Sequence, residues 1–374
     1  MVLPSPSQLS CTRCDRNFPL ETRHWRCPTC GGPFKMRSEC PPASDFKSML
    51  DGRERGLWRY RRCLPFLEHP VTLGEGGTPI LRRRDRNAEL LFKLEYCNPT
   101  GSFKDRGASV SMTRARAIGV SRVVEDSTGN AGIAASAYAA KAGIRARIYV
   151  PSDALPAKKA LIRAFGAEVV ECSSRKEAAL RATSELAEGE LYMGHAWDAF
   201  YIEGMKTVAF EIYESGFKGD SVILPVASGT LLLGLYKGFG ELVEMGFLDK
   251  IPRIYAVQGE GCAPLYEALH GELSGDRRSQ LADALKIEDP PRKEEILQAI
   301  KRTGGDAFTV SDPEIAAATK ELYGFGILAE PSSATAYAAY KKNREALGGR
   351  IIIPVTGTGL KAIDRLGEIF GQPH

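Results

Sequence analysis

Asn98-Pro99-Thr100-Gly101-Ser102-Phe103-Lys104-Asp105-Arg106-Gly107 is the stretch on which the reading of this chain turns. It follows an apolar, strand-like run, Leu90-Leu91-Phe92-Lys93-Leu94-Glu95-Tyr96, and precedes a helical pattern from Lys104 to Ile118. Pro99 and Gly101 make a turn. Ser102 stands just before the helix, where a hydroxyl caps free backbone N–H groups. Lys104 falls in the first turn, at the positive end of the helix dipole, which is the wrong end for a cation. A lysine there is biased toward losing its proton, and a neutral lysine amine is a nucleophile that forms Schiff bases. Taken alone, the ten residues also suit a solvated lysine, or one that grips an anion.

Working outward, the 374 residues suffice for roughly two or three domains. Charged residues at 26% and hydrophobic ones at 43% are ordinary for a globular protein. A net charge of +4 over this length is too weak to argue for nucleic acid or membrane partners. No apolar run reaches the roughly 18 residues of a membrane span. Met1 to Ser10 lacks the basic start and apolar core of a signal peptide. Of nine cysteines, four are paired near the N-terminus, and Cys40, Cys63, Cys97, Cys172 and Cys262 are scattered. An odd, scattered set does not look like a disulfide framework, so a reducing cytoplasm is expected.

Residues 1–40 read as a module. Cys11-Thr12-Arg13-Cys14 and Cys27-Pro28-Thr29-Cys30 are two Cys-x-x-Cys knuckles. Four thiolates at this spacing suit a closed, tetrahedral, structural zinc site. Two redox dithiols, or an iron site of the rubredoxin kind, are the alternatives. So short a segment cannot bury a sufficient core, and metal must supply much of its folding energy. The ribbon docks on the main body or on a neighbouring subunit, the latter in a homodimer. Residues 41–70 read as a Pro- and Arg-rich connector with one short helix around Phe46–Arg55.

From residue 88 the pattern alternates. The β-rich runs are Leu90–Glu95, Arg122–Glu125, Arg145–Val150, Glu168–Cys172, Ser221–Val226, Arg253–Gln258 and Arg350–Val355. Helical stretches between them include Ile133–Ala142, Leu155–Phe165, Lys176–Ala187, Glu203–Glu214 and Leu231–Glu244. This argues for an α/β protein with parallel sheet covered by helices on both faces. Residues 271–306 are polar, hold Asp289-Pro290-Pro291, and read as a surface loop or insertion.

In such sheets ligands bind outside the carboxyl ends of the strands, so the loops there matter. Asp126-Ser127-Thr128-Gly129-Asn130-Ala131-Gly132 follows a strand and opens a helix, whose free N–H groups suit a substrate carboxylate. Asn130 is placed to meet a ring hydroxyl. Ala227-Ser228-Gly229-Thr230-Leu231 also joins a strand to a helix and suits a phosphate. It is not a Walker loop, because no Lys-Ser/Thr follows Gly234. Thr356-Gly357-Thr358-Gly359-Leu360-Lys361 follows the last strand, where hydroxyls can face a bound ligand, and Glu330-Pro331-Ser332-Ser333 precedes a helix, either as an ordinary helix start or as part of a site. A Schiff-base lysine, an anion loop with an asparagine and a phosphate cradle together suit pyridoxal phosphate, which is an aldehyde, a phosphate and a ring. A nucleotide-binding protein is the alternative, but no Gly-x-Gly-x-x-Gly loop is present with an acidic residue about 20 positions on.

Over nearly its whole length the chain resembles the fold-type II pyridoxal-phosphate enzymes, and within them the threonine synthases. The resemblance rests on Cys11, Cys14, Cys27 and Cys30, the loop Leu73-Gly74-Glu75-Gly76-Gly77-Thr78-Pro79, Ser102–Arg106, Ser127–Asn130 and Thr356–Lys361. It implies a tryptophan synthase beta-like fold of two doubly wound sheet domains with an N-terminal zinc ribbon. A smaller subdomain at about 108–200 would be inserted in a larger one, about 60–107 and 201–374. Lys104 would carry the cofactor, with Asn130 at the ring hydroxyl. Ser127, Thr128 and Ala131 would surround the substrate carboxylate. Ala227, Ser228, Gly229, Thr230 and Leu231 would hold the phosphate, and Thr356 the pyridine nitrogen.

One segment departs from the family. Where threonine synthases carry an Asn, a Ser and an Arg for the phosphate of phosphohomoserine, this chain has His195, Ala196 and Tyr201. A dianion needs donors and positive charge, and these changes remove a cation and a hydroxyl. The resemblance implies a small amino acid as substrate and a lyase or synthase of amino-acid biosynthesis. Threonine synthase is the first expectation. The others are a serine/threonine ammonia-lyase, a β-replacing enzyme of the cysteine or cysteate synthase type, and a non-catalytic protein that binds the cofactor.

Overall fold

The computed structural model describes residues 8–37, 40–41, 43, 45–65, 69–127, 129–152, 154–273 and 281–371. In chain order the elements are β1 (Gln8–Cys11), β2 (Asn17–Phe18), β3 (Phe34–Arg37), β4 (Ile80–Asp85) and β5 (Ala88–Lys93). Next come α1 (Lys104–Ala117), β6 (Arg122–Glu125), α2 (Asn130–Ala142), β7 (Arg145–Pro151) and α3 (Pro156–Ala164). They continue with β8 (Glu168–Cys172), α4 (Arg175–Ser184), β9 (Glu190–Tyr192) and α5 (Ala199–Glu214). After these stand β10 (Ser221–Pro225), α6 (Thr230–Glu244), β11 (Arg253–Gly259), α7 (Pro264–His270) and α8 (Lys293–Arg302). The remainder is β12 (Asp306–Val310), α9 (Asp312–Gly324), α10 (Pro331–Asn343), β13 (Gly349–Pro354) and α11 (Ile363–Phe370).

These elements fall into two compact units. The first takes in the described residues up to Gly77, with Asn98–Thr100 and Lys104–Val208. The second takes in Thr78–Cys97, Gly101–Phe103 and the described residues from Ala209 onward.

In the first unit a parallel sheet runs in the order β8-β7-β6-β9. Val123 and Val124 on its inner strand β6 are buried, as expected of a strand covered on both faces. Helix α2 is alanine-rich and buried along most of its length, which lets its backbone pack closely. It stops at Gly143, whose left-handed backbone (φ 69°) turns its N–H back to the carbonyl of Ala139. A three-stranded antiparallel ribbon, β2-β1-β3, belongs to the same unit. Its Leu9, Phe34 and Met36 share a core with Trp58, Val110 and Phe200.

In the second unit six strands run in the order β12-β11-β10-β13-β5-β4. All are parallel to their neighbours except β4, which pairs antiparallel with β5. The sequence reading did not list β4, because Arg82, Arg83 and Arg84 hide its period. The three arginines are exposed, and charge on an edge strand discourages pairing with another chain. Helix α10 is buried nearly all round, with Ala334, Ala336, Tyr337 and Ala338 against Leu90, Ile223 and Ile353.

Three expectations are corrected. The helix around Phe46–Arg55 is instead a pair of short 3-10 segments, Phe46–Met49 and Gly56–Cys63. Residues 271–306 are not merely a loop. They include α8, whose Ile296, Ala299 and Ile300 recur at helical spacing and are buried, while 274–280 lie outside the described residues. Cys40 and Cys63 are joined as a disulfide, so two of the scattered cysteines are paired.

One buried ion pair stands inside the second unit. Lys93, 1% exposed, donates to Glu211 Oε2 at 2.6 Å and to the Thr78 carbonyl at 2.7 Å. Removing Glu211 takes away the nearer counter-ion of Lys93 and leaves only Glu95, whose Oε1 stands 3.8 Å away in the same poorly solvating interior. Glu211→Ala is expected to cost about 3–5 kcal/mol in urea unfolding, and Glu211→Gln, which keeps an acceptor, less. A loss below about 1 kcal/mol in both variants would show that Lys93 is neutral or reaches water.

Candidate active site and metal centre

Helix α1 begins at Lys104 and is buried from Asp105 to Ala115. The turn before it is closed by Asp105, which accepts the Thr100 N–H at 2.6 Å and the Thr100 hydroxyl. The expected cap, Ser102, does not serve: its Oγ is fully buried and has no hydrogen-bond partner among the described residues. Helix α5 lies hard against α1. A Cβ on Gly107 would stand 2.1 Å from the Tyr201 ring, and one on Gly204 would stand 2.1 Å from the Arg106 carbonyl oxygen. Only glycine admits this approach. Tyr201 then donates its hydroxyl to the Lys104 carbonyl at 2.8 Å, and the Lys104 Nζ lies 5.8 Å from its ring centroid.

Glu125 ends β6, 1% exposed. Its carboxyl holds His195 twice, taking the backbone N–H at 3.1 Å and meeting Nδ1 at 2.8 Å. Burial pushes Glu125 up to about 8, against the pull of the Lys104 ammonium and the His195 N–H. Burial, reinforced by Lys104, drives His195 down to about 3, so its imidazole is neutral. Next to it, burial and the Glu125 charge raise Asp126 to about 6, and Tyr192 donates to it at 2.8 Å. Ser127 Oγ accepts the Gly129 N–H at 3.3 Å, Asn130 opens α2, and Ala131 is buried just inside it. Thr128 lies outside the described residues. The first unit therefore brings Lys104, His195 and Tyr201 together around Glu125, and carries Ser127, Asn130 and Ala131 at the end of the same strand.

In the second unit, Ala227–Leu231 and Thr356 follow β10 and β13, which are adjacent parallel strands. Gly229 has φ 79°, and a Cβ there would stand 2.1 Å from Ile296 Cδ1. Ser228 and Thr230 are buried beside it, and α6 starts at Thr230 with its first N–H groups unclaimed by the helix ladder. The Thr356 and Ser333 hydroxyls share a hydrogen bond at 2.7 Å, and Ser333 Oγ accepts the Gly357 N–H at 2.8 Å. Sequence reasoning left Ser333 between an ordinary helix start and a site residue, and did not single out Glu125 or Asp105. The one available signal was an acidic residue closing an otherwise apolar strand.

The ribbon gathers Cys11, Cys14, Cys27 and Cys30 so that all four sulfurs lie within 4.8 Å of one another. Cys11 and Cys30 Sγ stand 3.4 Å apart, and Cys14 and Cys27 Sγ 3.7 Å apart. This closed all-thiolate donor set fits a tetrahedral zinc ion and leaves no position open for a substrate. The ribbon docks on its own unit. Arg114 of α1 donates to the carbonyls of Leu20 and Thr22, and Trp25 meets Trp197 and Tyr192 edge-on at 4.8 and 5.3 Å.

The residues present fit pyridoxal phosphate. There is a glycine cradle at a helix N-terminus for the phosphate, a neutral hydroxyl pair for a ring nitrogen, and an orphaned buried hydroxyl two residues before Lys104. Comparison with known proteins bears on this directly. Residues 71–357 match the family described as "Pyridoxal-phosphate dependent enzyme". The chain is 34% identical to the threonine synthase of Methanocaldococcus jannaschii, over 97% of this chain and 95% of that one. It is 33% identical to the threonine synthase of Methanosarcina acetivorans, over 89% and 86%. Among solved structures, the L-serine ammonia-lyase of Rhizomucor miehei superposes with a TM-score of 0.69, covering 81% of this chain and 99% of that one at 22% identity, which shows a shared fold. The chain belongs to the pyridoxal-phosphate dependent enzymes, as a lyase in the family of the threonine synthases.

Proposed function

We propose that this chain is a threonine synthase that converts O-phosphohomoserine and water to threonine and phosphate. The observation that carries the reading is Lys104, held by Tyr201 at the first residue of a buried helix and facing the neutral imidazole of His195. Pyridoxal phosphate, when bound, supplies a sink for the electrons left when the α-proton departs. Lys104 carries the cofactor, and its Nζ takes the α-proton. The N-terminus of α2, with Ser127, Thr128 and Ala131, holds the substrate carboxylate, while Asn130 meets the ring hydroxyl. Ala227, Ser228, Gly229, Thr230 and Leu231 hold the cofactor phosphate. Thr356, paired with Ser333, meets the ring nitrogen with a neutral hydroxyl, which favours prompt loss of a leaving group over a long-lived carbanion. Tyr201 acts as a positioning residue, because its hydroxyl proton is committed to Lys104.

A second reading, a serine/threonine ammonia-lyase, is favoured by that same commitment. With Tyr201 turned to Lys104 and Ala196 lacking a hydroxyl, His195 alone of the three departing residues offers a polar tip to a substrate phosphate. A cytoplasmic location, which keeps the four ribbon cysteines reduced for metal, belongs to either reading. So does a homodimer, which sedimentation of the purified protein tests.

Supplying phosphohomoserine, serine and threonine separately, and assaying phosphate, pyruvate and 2-oxobutyrate, separates the two readings. Phosphate release with threonine formation is expected; keto-acid formation without phosphate release would replace the first reading by the second. Lys104→Ala is expected to abolish the cofactor's visible absorption and to lower turnover by at least about a hundredfold, the usual scale of a lost acid–base group. A band that persists in that variant would refute the role of Lys104. The ribbon makes a separate prediction. Native protein should carry one zinc per chain by elemental analysis, and a strong chelator should lower the thermal midpoint and expose Trp25 to quencher. Metal-free protein with an unchanged midpoint would refute the site.

A further inference from the structure

Glu125 stands outside the roles set out above, and its pairing with His195 has a specific place in the fold. Glu125 is the last residue of β6, directly ahead of the loop that opens α2. Its carboxyl is buried, and both of its oxygens are engaged by one residue, at 2.8 Å to Nδ1 and 3.1 Å to the backbone N–H. His195 is mostly buried and tilts against the Tyr201 ring at 6.0 Å between centroids. Tyr201 in turn holds the Lys104 carbonyl.

We propose that Glu125 and His195 form a buried proton-sharing pair that faces Lys104 and sets the charge at the cofactor lysine, with Glu125 as a positioning residue acting through His195. The proposal rests on the reading of Lys104 as the lysine that carries the cofactor. The short contact at Nδ1 holds one proton between carboxyl and imidazole. With that proton on Glu125 and another on Nε2, the pair is neutral; once one proton has left to solvent, Nδ1 holds the one that remains, Glu125 is a carboxylate and Nε2 is an acceptor. A full charge on Glu125 would stabilise a proton on the Lys104 nitrogen, whereas a neutral pair leaves that nitrogen free to act as a base.

The surroundings favour the neutral pair. Asp198, from the segment before α5, disfavours a charge on Glu125; Asp126, from the same strand end, gives its backbone N–H to that carboxyl, and its own side chain is raised by the Glu125 charge. Lys104 from α1 is the cation that opposes Asp198, and together with Arg175 of α4 it keeps His195 from taking a second proton. The Tyr201 phenol, held protonated by burial, adds no charge. Glu125 accordingly loses its proton near pH 8 rather than in the ordinary carboxyl range. Below that pH the pair is neutral. Above it, the pair has given one proton to solvent, and its carboxylate raises the pH at which the Lys104 nitrogen loses its own proton. Because the groups are coupled, the step belongs to the cluster rather than to one residue.

The test is a pH titration of the cofactor's visible absorption in the holoenzyme. Wild type is expected to show a step near pH 8. Glu125→Gln keeps the shape and a permanently neutral partner, so it should retain the band, lose that step, and release the proton from the Lys104 nitrogen at lower pH than wild type. His195→Gln should keep a step but displace it along the pH axis. A Glu125→Gln enzyme that titrates as wild type does would overturn the proposal. Should circular dichroism show that variant unfolded, an unshifted step in His195→Gln would overturn it instead. Lys104→Ala serves as the separate arm: a visible band surviving there would overturn the role of Lys104 itself, not that of Glu125.

Discussion

The close approach of two helix backbones is the constraint on which the first unit depends. Gly107 on α1 and Gly204 on α5 leave no room for a Cβ, so Tyr201 lies directly on α1 and Arg106 reaches across to the Thr207 hydroxyl at 3.0 Å. Interiors packed at this density move little, and a side chain wedged between two helices holds its rotamer. That rigidity is what a reactive lysine needs. Lys104 sits at a helix start, where its charge is disfavoured, and its carbonyl is pinned by the Tyr201 hydroxyl. Tyr201 is thus turned inward, its hydroxyl on the Lys104 carbonyl.

The same economy of roles appears in the ribbon. A closed set of four cysteines would leave a bound metal no open position for a substrate. Its contribution is mechanical. Trp25 packs on Tyr192 and Trp197, and those residues flank the loop that carries His195. Arg114, on the helix that begins with Lys104, is held by ribbon carbonyls. A ribbon too short to bury a core of its own is therefore tied by direct contacts to the two elements that bear the candidate chemistry.

Much of the architecture was legible in the chain as written. Alternating β-rich and helical periods gave the parallel strands, and the loops after them pointed to Ser127, Asn130, Ala227–Leu231 and Thr356. The two knuckles announced a metal site, because ligand spacing is a local property and the four sulfurs do converge. The resemblance to threonine synthases was also readable from short motifs, and the relatives bear it out. What local pattern missed were features without local cause. Strand β4 escaped because three arginines on an exposed edge obscure its alternation. The Cys40–Cys63 disulfide escaped because pairing depends on which distant residues the fold brings together. Ser102 looked like a cap, yet its hydroxyl is buried with no partner among the described residues, and Asp105 closes the turn by accepting from Thr100.

By itself, then, the sequence determined the class of the protein and singled out one lysine and four cysteines as candidates for its chemistry and its metal, since each follows from residue type, spacing and period. Only the tertiary structure decided which neighbours those residues would have. Glu125 reads in the chain as the polar end of a strand, and His195 as a substitution in a familiar motif. Folding places them 2.8 Å apart, buried and within reach of the Lys104 charge. A carboxyl and an imidazole in water would ionise at their ordinary pH values. Removed from water and set beside a cation, they hold their protons differently, and that environment is a property of the packed fold rather than of any stretch of chain.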